Sequence, residues 1–488
     1  MSVQIFLQGK LLDIQSFLVS PPAGTPADGI PVAEEALAVA RSRWVALLSE
    51  VIPRALLEEL GLSKILLGAS GGGQFLVVLP REVVEQAEAL LTAAQHDIDR
   101  LSRGRLKLVW AATENLGDWS VVRKRLAEAM ARRRGAPAAG CDESFFVPDG
   151  EAPSGDSDEY FLEQFGRKFA DAEQIGWSPE EPARLKLGEG KRMWSLRART
   201  GEDSLPVARH MAPSDDENGP ADTATLASRA EGRCAWAVLR GDVDNLGIRL
   251  RRAQSIEEYV QLSVMYKNFF AGELEVLCSL PEFWRKVNIL YCGGDDFAVY
   301  GAWDAVIQLA RELRRLFHRF SDENLKDFPG PDGKTLTMAL ALATRPNSSF
   351  TAVYQQAGEQ LEAAKCADKD CFSVLGRTLE WKQVTEASDL KDALSRMVRE
   401  FGCPRQFLLE LASLTRPETG VEGHEDRFDR PWRLNRRLNR VSGGVREREF
   451  QKLRAHVAAQ MLGKSAAHLK LRPAGSVAVG WARLLTEV

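Results

Sequence analysis

One order of elements occurs twice in this chain, and that repetition constrains the fold more than any other feature. Near the N-terminus a mostly apolar run, Val3–Leu7, leads through Gln8 to Gly9. Apolar residues then recur at helical spacing over Val32–Leu60. Two β-type runs, Ile65–Ser70 and Phe75–Leu79, flank the turn Gly71-Gly72-Gly73 and read as a hairpin. Glu82–Leu101 is helical again, Leu106–Ala112 is a strand and Trp119–Arg132 a further helix. The second copy opens with the strand Ala235–Arg240, ending at Gly241, and the helical pattern Ile256–Leu280. Val287–Tyr291 and Phe297–Tyr300 flank a second turn at Gly293-Gly294; helix Trp303–Phe317, strand Leu336–Ala343 and helix Phe350–Ala367 complete it. Each copy fits a βαββαβ ferredoxin-like unit, an antiparallel sheet with helices on one face. The fold class is α+β.

The remaining sequence divides around these copies. Gly140–Gly155 has linker composition, Asp158–Ile175 is helical, and Pro213–Thr225 is a loop. After Trp381 the chain reads as helical to its end. The expected organisation is a first unit at 1–139, a linker and small helical domain at 140–232, a second unit at 233–383, and an all-α C-terminal domain at 384–488. A length of 488 residues suits several cores rather than one. The net charge of −4 argues against a freestanding nucleic-acid binder. Charge is nonetheless segregated: from Asp389 to Val488 there are 19 Lys/Arg against 12 Asp/Glu, which leaves −11 on the preceding residues. The seven cysteines show neither a disulfide framework nor zinc-ligand spacing and read as reduced thiols. No apolar stretch approaches the roughly 20 residues that span a bilayer, and the N-terminus carries no signal pattern. A cytoplasmic protein with no membrane partner is expected.

The chemistry concentrates in the second copy. Its first strand runs directly into Gly241-Asp242-Val243-Asp244-Asn245-Leu246-Gly247, and its hairpin turn reads Tyr291-Cys292-Gly293-Gly294-Asp295-Asp296-Phe297. Paired glycines suggest a turn using φ > 0 and leave room for a backbone or a phosphate. In a ferredoxin-like sheet the first strand pairs with the hairpin, which brings Asp242 toward Asp295 and Asp296. Three carboxylates without a basic partner repel one another, and a hard divalent cation resolves the repulsion. Such a site suits nucleotidyl transfer or cyclisation; a plain Gly-Gly-Asp-Asp surface turn is the bland alternative. Aligning Gly9 with Gly241 sets Lys10 opposite Asp242. The first copy keeps its glycine turn, Gly71-Gly72-Gly73-Gln74-Phe75, and loses every acid. It should hold no metal, while the turn either shapes a nucleotide pocket facing the second copy or is purely structural.

At these residues the chain resembles the large, polymerase-like subunit of type III CRISPR–Cas effector complexes, closer to the Csm than the Cmr kind. The resemblance rests on Leu239–Gly247 followed by Tyr291–Phe297, with support from Asp13–Phe17, Ser70–Phe75, Leu361–Lys365 and Trp432-Arg433-Leu434. It implies two palm domains that hold ATP and make cyclic oligoadenylate when target RNA is bound. It implies Asp242, Asp295 and Asp296 as ligands for Mg²⁺ or Mn²⁺, and Gly293, Gly294, Gly71 and Gly72 as turns shaping the nucleotide sites. Lys365 matches a lysine that in related cyclases reaches the phosphates; a lysine on an exposed helix face is the alternative. Implied partners are the other effector subunits, ATP, and guide and target RNA contacted largely through the complex. Arg433, Arg436, Arg437 and Arg440 would anchor neighbouring subunits or guide RNA, unless they form a solvated face.

Two departures from the family pattern carry expectations. Many relatives begin with an HD nuclease domain, whereas here the first palm strand starts at about residue 3 and His96-Asp97 is a lone dipeptide. No HD-type nuclease is expected. The paired Cys-x-x-Cys ribbon of many relatives is also missing between the palms. A silent scaffold subunit and a standalone nucleotide cyclase are the competing functional readings.

Overall fold

A computed structural model describes residues 4–22, 33–135, 156–197, 204–205, 207–216, 219–415, 431–441, 447–464 and 469–487. The first palm runs β1 (Gln4–Leu12), α1 (Ile14–Leu18), α2 (Glu34–Glu59), β2 (Leu67–Gly71), β3 (Gln74–Pro80), α3 (Val84–Ser102), β4 (Lys107–Glu114) and α4 (Trp119–Gly135). Its sheet has the order β2-β3-β1-β4 and is antiparallel throughout. This is the ferredoxin-like order that the βαββαβ reading requires. Alternation along β1 buries Leu7 and Leu11 against α2 and α3, while Phe6 on the opposite face packs edge-on against Trp119 of α4.

The region between the palms departs from the expected helical domain. The helix α5 (Asp156–Phe165) stops at Gly166, well short of Ile175. A three-stranded antiparallel sheet follows, β5 (Gln174–Trp177), β6 (Lys186–Leu187) and β7 (Arg192–Ser195), then the short helix α6 (Thr223–Ser228). Gly176 explains why this sheet was hidden in the pattern: a Cβ there would stand 1.8 Å from the Glu189 carbonyl oxygen. The small sheet therefore depends on a close backbone approach and not on a run of β-branched residues. Trp177 and Trp194 of the sheet join the first palm's core, as does Phe161 of α5, which lies against Phe17 and Trp44. The expected linker Gly140–Gly155 lies outside the described residues.

The second palm comprises β8 (Trp236–Val243), α7 (Leu246–Arg251), α8 (Ile256–Asn268), α9 (Leu274–Cys278), β9 (Val287–Cys292), β10 (Asp296–Ala302), α10 (Trp303–Asn324), β11 (Leu336–Leu342) and α11 (Phe350–Ala367). A hairpin, β12 (Cys371–Val374) and β13 (Arg377–Glu380), extends the sheet to the order β13-β12-β11-β8-β10-β9. Both faces of β8 are buried. Ala237 and Leu239 join a core with α8 and α10, whereas Trp236 and Val238 join the core shared with α11 and the first palm. The two palms are thus continuous in packing.

The C-terminal region is helical as expected, with α12 (Trp381–Arg399), α13 (Gln406–Thr415), α14 (Pro431–Val441), α15 (Arg448–Met461) and α16 (Pro473–Thr486). A two-stranded hairpin, β14 (Leu462–Lys464) and β15 (Leu469–Leu471), is an addition to the all-α expectation. Arg433, Arg436 and Arg440 lie on α14, and Arg437 pairs with Glu410 at 3.0 Å. Among the described residues no helix is long and apolar enough to cross a membrane.

Candidate active site

The candidate site lies where β8 ends beside the start of β10. Antiparallel register sets Asp242 directly opposite Asp296 and Gly241 opposite Phe297. Gly241 must be glycine because a Cβ would stand 2.4 Å from the Phe297 ring. The first palm repeats this device: Lys10 faces Gln74, Gly9 faces Phe75, and a Cβ on Gly9 would stand 2.1 Å from that ring. The alignment of Gly9 with Gly241 therefore holds in three dimensions, and Lys10 occupies the place that Asp242 has in the second palm.

The turn before β10 is closed by the Gly293 N–H bond to the Asp296 carbonyl at 2.7 Å and tied to β8 by the Val243 N–H bond to the Asp295 carbonyl at 2.9 Å. One expectation is corrected here. Neither Gly293 nor Gly294 adopts the left-handed region, while Gly71, Gly72 and Gly73 of the first palm all do. Glycine is needed at 293 for a different reason: a Cβ would lie 2.2 Å from Asp296 Oδ1, so the carboxylate packs directly over the bare Cα. At Gly294 a Cβ would meet nothing within 4 Å.

The two glycine turns touch. A Cβ on Gly72 would come within 3.0 Å of the Gly294 amide nitrogen and 3.9 Å of the Gly293 carbonyl carbon. Gly72 of the first palm thus abuts Gly293 and Gly294 of the second, across the boundary between the palms, while Gly71 lies against Lys267 and Glu50.

The acids are charged only at a cost. Burial first, and then the neighbouring carboxylates Asp295 and Asp296, push Asp242 up to about 7 against the opposing pull of Lys365. Burial and the Asp295 charge push Asp296 up to about 6, and burial also raises Asp295. Lys365 Nζ sits 3.2 Å from Asp242 Oδ2 and 3.0 Å from Glu362 Oε1, with only 22% of its side chain exposed. It belongs to the site and not to a solvated helix face. Burial pulls Lys10 below its ordinary value, as does Arg134, while Asp295 and Asp296 oppose this from across the boundary.

The donor set is one of hard carboxylate oxygens on adjacent strands, with more negative charge than Lys365 neutralises. That chemistry fits a divalent cation such as Mg²⁺ or Mn²⁺. Among the described residues no three His, Cys, Asp or Glu side chains already converge as a ligand cluster; Asp242 is turned to Lys365. Asp244, the second acid of Gly-Asp-Val-Asp, is structural. It is 3% exposed, and its carboxylate accepts hydrogen bonds from Thr337 at 2.6 Å, Thr335 at 2.7 Å and the Asp370 amide at 3.0 Å.

A polar group beside the acids went unassigned in the sequence. Gln15 of α1 donates to Asp296 Oδ2 at 3.4 Å and to the Tyr291 hydroxyl at 3.3 Å, and accepts from Arg240 at 3.1 Å and from the Tyr354 hydroxyl. The Arg240 guanidinium lies 4.5 Å from the Tyr354 ring centroid. Periodicity held the signal. Arg240 and Asp242 share one face of β8 at spacing two, and Tyr354, Gly358, Leu361 and Lys365 form one stripe of α11. Gly358 makes the room, since a Cβ there would stand 2.4 Å from Arg240 Nη1. His96 is exposed on α3, and its neighbour Asp97 pairs with Arg100.

Comparison with known proteins agrees with this geometry. Residues 235–373 match the family model described as Cas10/Cmr2, second palm domain. The CRISPR system single-strand-specific deoxyribonuclease Cas10/Csm1 (subtype III-A) of Enterococcus italicus is 36% identical over 103 residues, 20% of this chain and 13% of that protein. Its namesake in Thermococcus onnurineus is 26% identical over 181 residues, 34% of this chain and 22% of that protein. The matched segments therefore span less than a quarter of these curated relatives. Among solved structures, a Csm1–Csm4 cassette in complex with cA4 superposes with TM-score 0.71 at 16% identity, over 99% of this chain and 70% of that one. Csm1 of T. onnurineus superposes with TM-score 0.69 at 18% identity, over all of this chain and 70% of that one. At such identity the superpositions speak for the fold.

Proposed function

From the premise that this chain is a Cas10/Csm1-type large subunit carrying a Cas10/Cmr2 second palm at 235–373, we propose that it joins ATP into cyclic oligoadenylate inside a type III CRISPR RNA-guided effector complex. Target RNA paired with guide RNA would trigger the reaction, and the other effector subunits would be its partners. What carries this reading is the register of Asp242 against Asp296, with the acid-free turn of the first palm abutting Gly294. That arrangement offers two facing nucleotide sites with all the acids on one side.

In this reading Asp242, Asp295 and Asp296 hold the metal ions. What Mg²⁺ or Mn²⁺ supplies there is neutralisation of charge on the α-phosphate and the leaving pyrophosphate. Lys365, now tied to Asp242, swings to or stays beside the phosphates as their cation. Gly293 lets the Asp296 carboxylate lie against the turn, and Gly71 and Gly72 let the first palm's turn close against the second palm, which sets how near the two nucleotides come. Gln15 fixes the Asp296 carboxylate through Oδ2, leaving Oδ1 for a ligand. One ATP presents a ribose hydroxyl to the α-phosphate of the other; the new phosphodiester forms as the bond to pyrophosphate breaks. The relatives' names describe a deoxyribonuclease; the residues assigned here serve nucleotidyl transfer.

The test uses the assembled complex with guide and target RNA and labelled ATP or GTP. ATP-derived cyclic product that disappears in Asp295→Ala and Asp296→Ala is the expected result. Product surviving both substitutions would remove the acids from the mechanism, and RNA-independent product from GTP would favour a standalone cyclase.

A further inference from the structure

Behind the first palm's glycine turn lies a buried charge cluster that the reaction itself does not use. Glu50 of α2 is 3% exposed; burial pushes its carboxyl up, but Lys267 and Arg54 outweigh that and hold it below the ordinary carboxylate range. Its Oε1 accepts from Lys267 Nζ at 2.7 Å, and its Oε2 accepts from Arg54 at 2.8 Å and from the Ser70 hydroxyl at 2.7 Å. Lys267 comes from the other palm, at the last turn of α8. It also donates to the Ser70 carbonyl at 3.1 Å and lies within 3.3 Å of the Ser70 hydroxyl. One second-palm lysine thus grips both a first-palm helix and the residue that starts the first-palm turn.

Each glycine that follows serves a separate close approach. A Cβ on Gly71 would stand 3.0 Å from Lys267 Cδ and 3.1 Å from Glu50 Oε1, so any side chain there would press on the ion pair. A Cβ on Gly72 would stand 3.0 Å from the Gly294 nitrogen, and one on Gly73 would overlap Ile14 at 2.4 Å. The ion pair is therefore one residue from the point at which the two palms' turns meet. We infer that Glu50 and Lys267 are positioning residues: a cross-palm latch that sets the spacing between the two turns, and through it the approach of the two nucleotides. The inference rests on the functional reading above.

The geometry explains why a charged latch would stand here in place of an apolar contact. Buried ion pairs are weak sources of net stability, because desolvation offsets their attraction. They are directional, however. Lys267 satisfies three acceptors at once, and it cannot shift along the boundary without leaving Glu50 unpaired in a dry site. Apolar packing would tolerate such a slide.

A single substitution would leave Glu50 or Lys267 without its cross-palm partner and could unfold the boundary, so the informative variant is the double Glu50→Gln/Lys267→Met, which keeps volume, removes the two charges that cross the boundary and leaves an amide oxygen at residue 50, beside the Glu50 carbonyl, to accept from Arg54. Three quantities are measured in the assembled complex: turnover of labelled ATP, affinity for a non-hydrolysable ATP analogue, and melting temperature. A fourth is hydrogen exchange in the peptide covering residues 67–76. The expected result is a fall in kcat of at least about tenfold, with analogue affinity within about twofold of wild type and the melting temperature retained. Exchange at the turn should quicken while the rest of both palms is unchanged. The charge-conserving Lys267→Arg should recover most of the turnover. Unchanged turnover, or parallel losses of stability, affinity and rate, would reduce the pair to a structural ion pair. Unchanged exchange at 67–76 would overturn the latch even if the wild-type complex made no product. In that case the wild-type control reports on the functional reading and the exchange on the inference.

Discussion

Two adjacent glycines that look interchangeable in the sequence should differ sharply in what they tolerate. Gly293→Ala adds a Cβ 2.2 Å from Asp296 Oδ1, whereas ordinary contact begins at 3.4 Å. The carboxylate must therefore move by about 1.2 Å, or the turn must open by the same amount. Displacing a reacting group by about 1 Å costs on the order of 10²-fold in rate, which is about 2.7 kcal/mol of barrier. The dihedrals of Gly293 accept alanine, since it is outside the left-handed region, and it lies in the turn between β9 and β10 and not within a strand, so the melting temperature should hold. Gly294→Ala places its Cβ in open space and should keep turnover within about threefold of wild type, apart from the small entropic effect of any Gly→Ala change. The assay is cyclic-product formation from labelled ATP by complexes carrying each variant, with thermal melts alongside. If Gly294→Ala is as inactive as Gly293→Ala, the turn matters for flexibility and not for seating Asp296. If Gly293→Ala is fully active, the close packing of that carboxylate has no bearing on the chemistry.

Lys365→Ala removes a charge-assisted hydrogen bond, typically about 1.5–3 kcal/mol; the KM for ATP should rise roughly tenfold or more, and an unchanged KM would confine Lys365 to its pairing with Asp242. Asp244→Asn and Asp242→Asn should separate stability from function. The first disturbs a buried carboxylate that three donors share and should cost about 1–3 kcal/mol, read as a clear drop in melting temperature. The second should abolish product without lowering the melting temperature at pH 8. Its pH dependence follows from sign: Asp242 is raised to about 7, so its ionisation weakens the folded state above that pH, and the penalty fades as pH falls toward the ordinary carboxylate range. Wild type should therefore gain on Asp242→Asn between pH 8 and pH 4 in thermal melts; a constant difference would refute the raised value.

The fold was legible where two levels of pattern agreed. Helical spacing and hairpin turns repeated in the same order, and ferredoxin-like topology then dictated that β8 pair with β10, which placed Asp242 opposite Asp296. The three-stranded sheet between the palms escaped because β6 has two residues and β5 depends on Gly176 to admit the Glu189 backbone; neither leaves a periodic signature. The role of Gly293 was misread for a related reason. Glycine is the residue of positive φ and also of close approach, and sequence does not say which, so the first palm's Gly71–Gly73 and the second palm's Gly293 look alike while obeying different constraints. Gln15 escaped because its partners, Tyr291, Arg240, Tyr354 and Asp296, all come from the other palm.

The comparison of the palms suggests what was kept and what was exchanged between them. Gly9 and Gly241 do one job, admitting a phenylalanine ring across the strand. One position further along, Lys10 faces Gln74 where Asp242 faces Asp296. The scaffold is common and the charge is inverted. A pair of acidic palms meeting at their turns would crowd six carboxylates across a contact in which a Gly72 Cβ would have only 3.0 Å of room, and at ~4 Å each like-charge pair costs several kcal/mol at the effective dielectric of such a site. With Lys10 on the other side, Asp295 and Asp296 face a cation, and both sets of charge are eased. Close contact between the two turns is thus eased by carrying the acids on one of them and a lysine on the other.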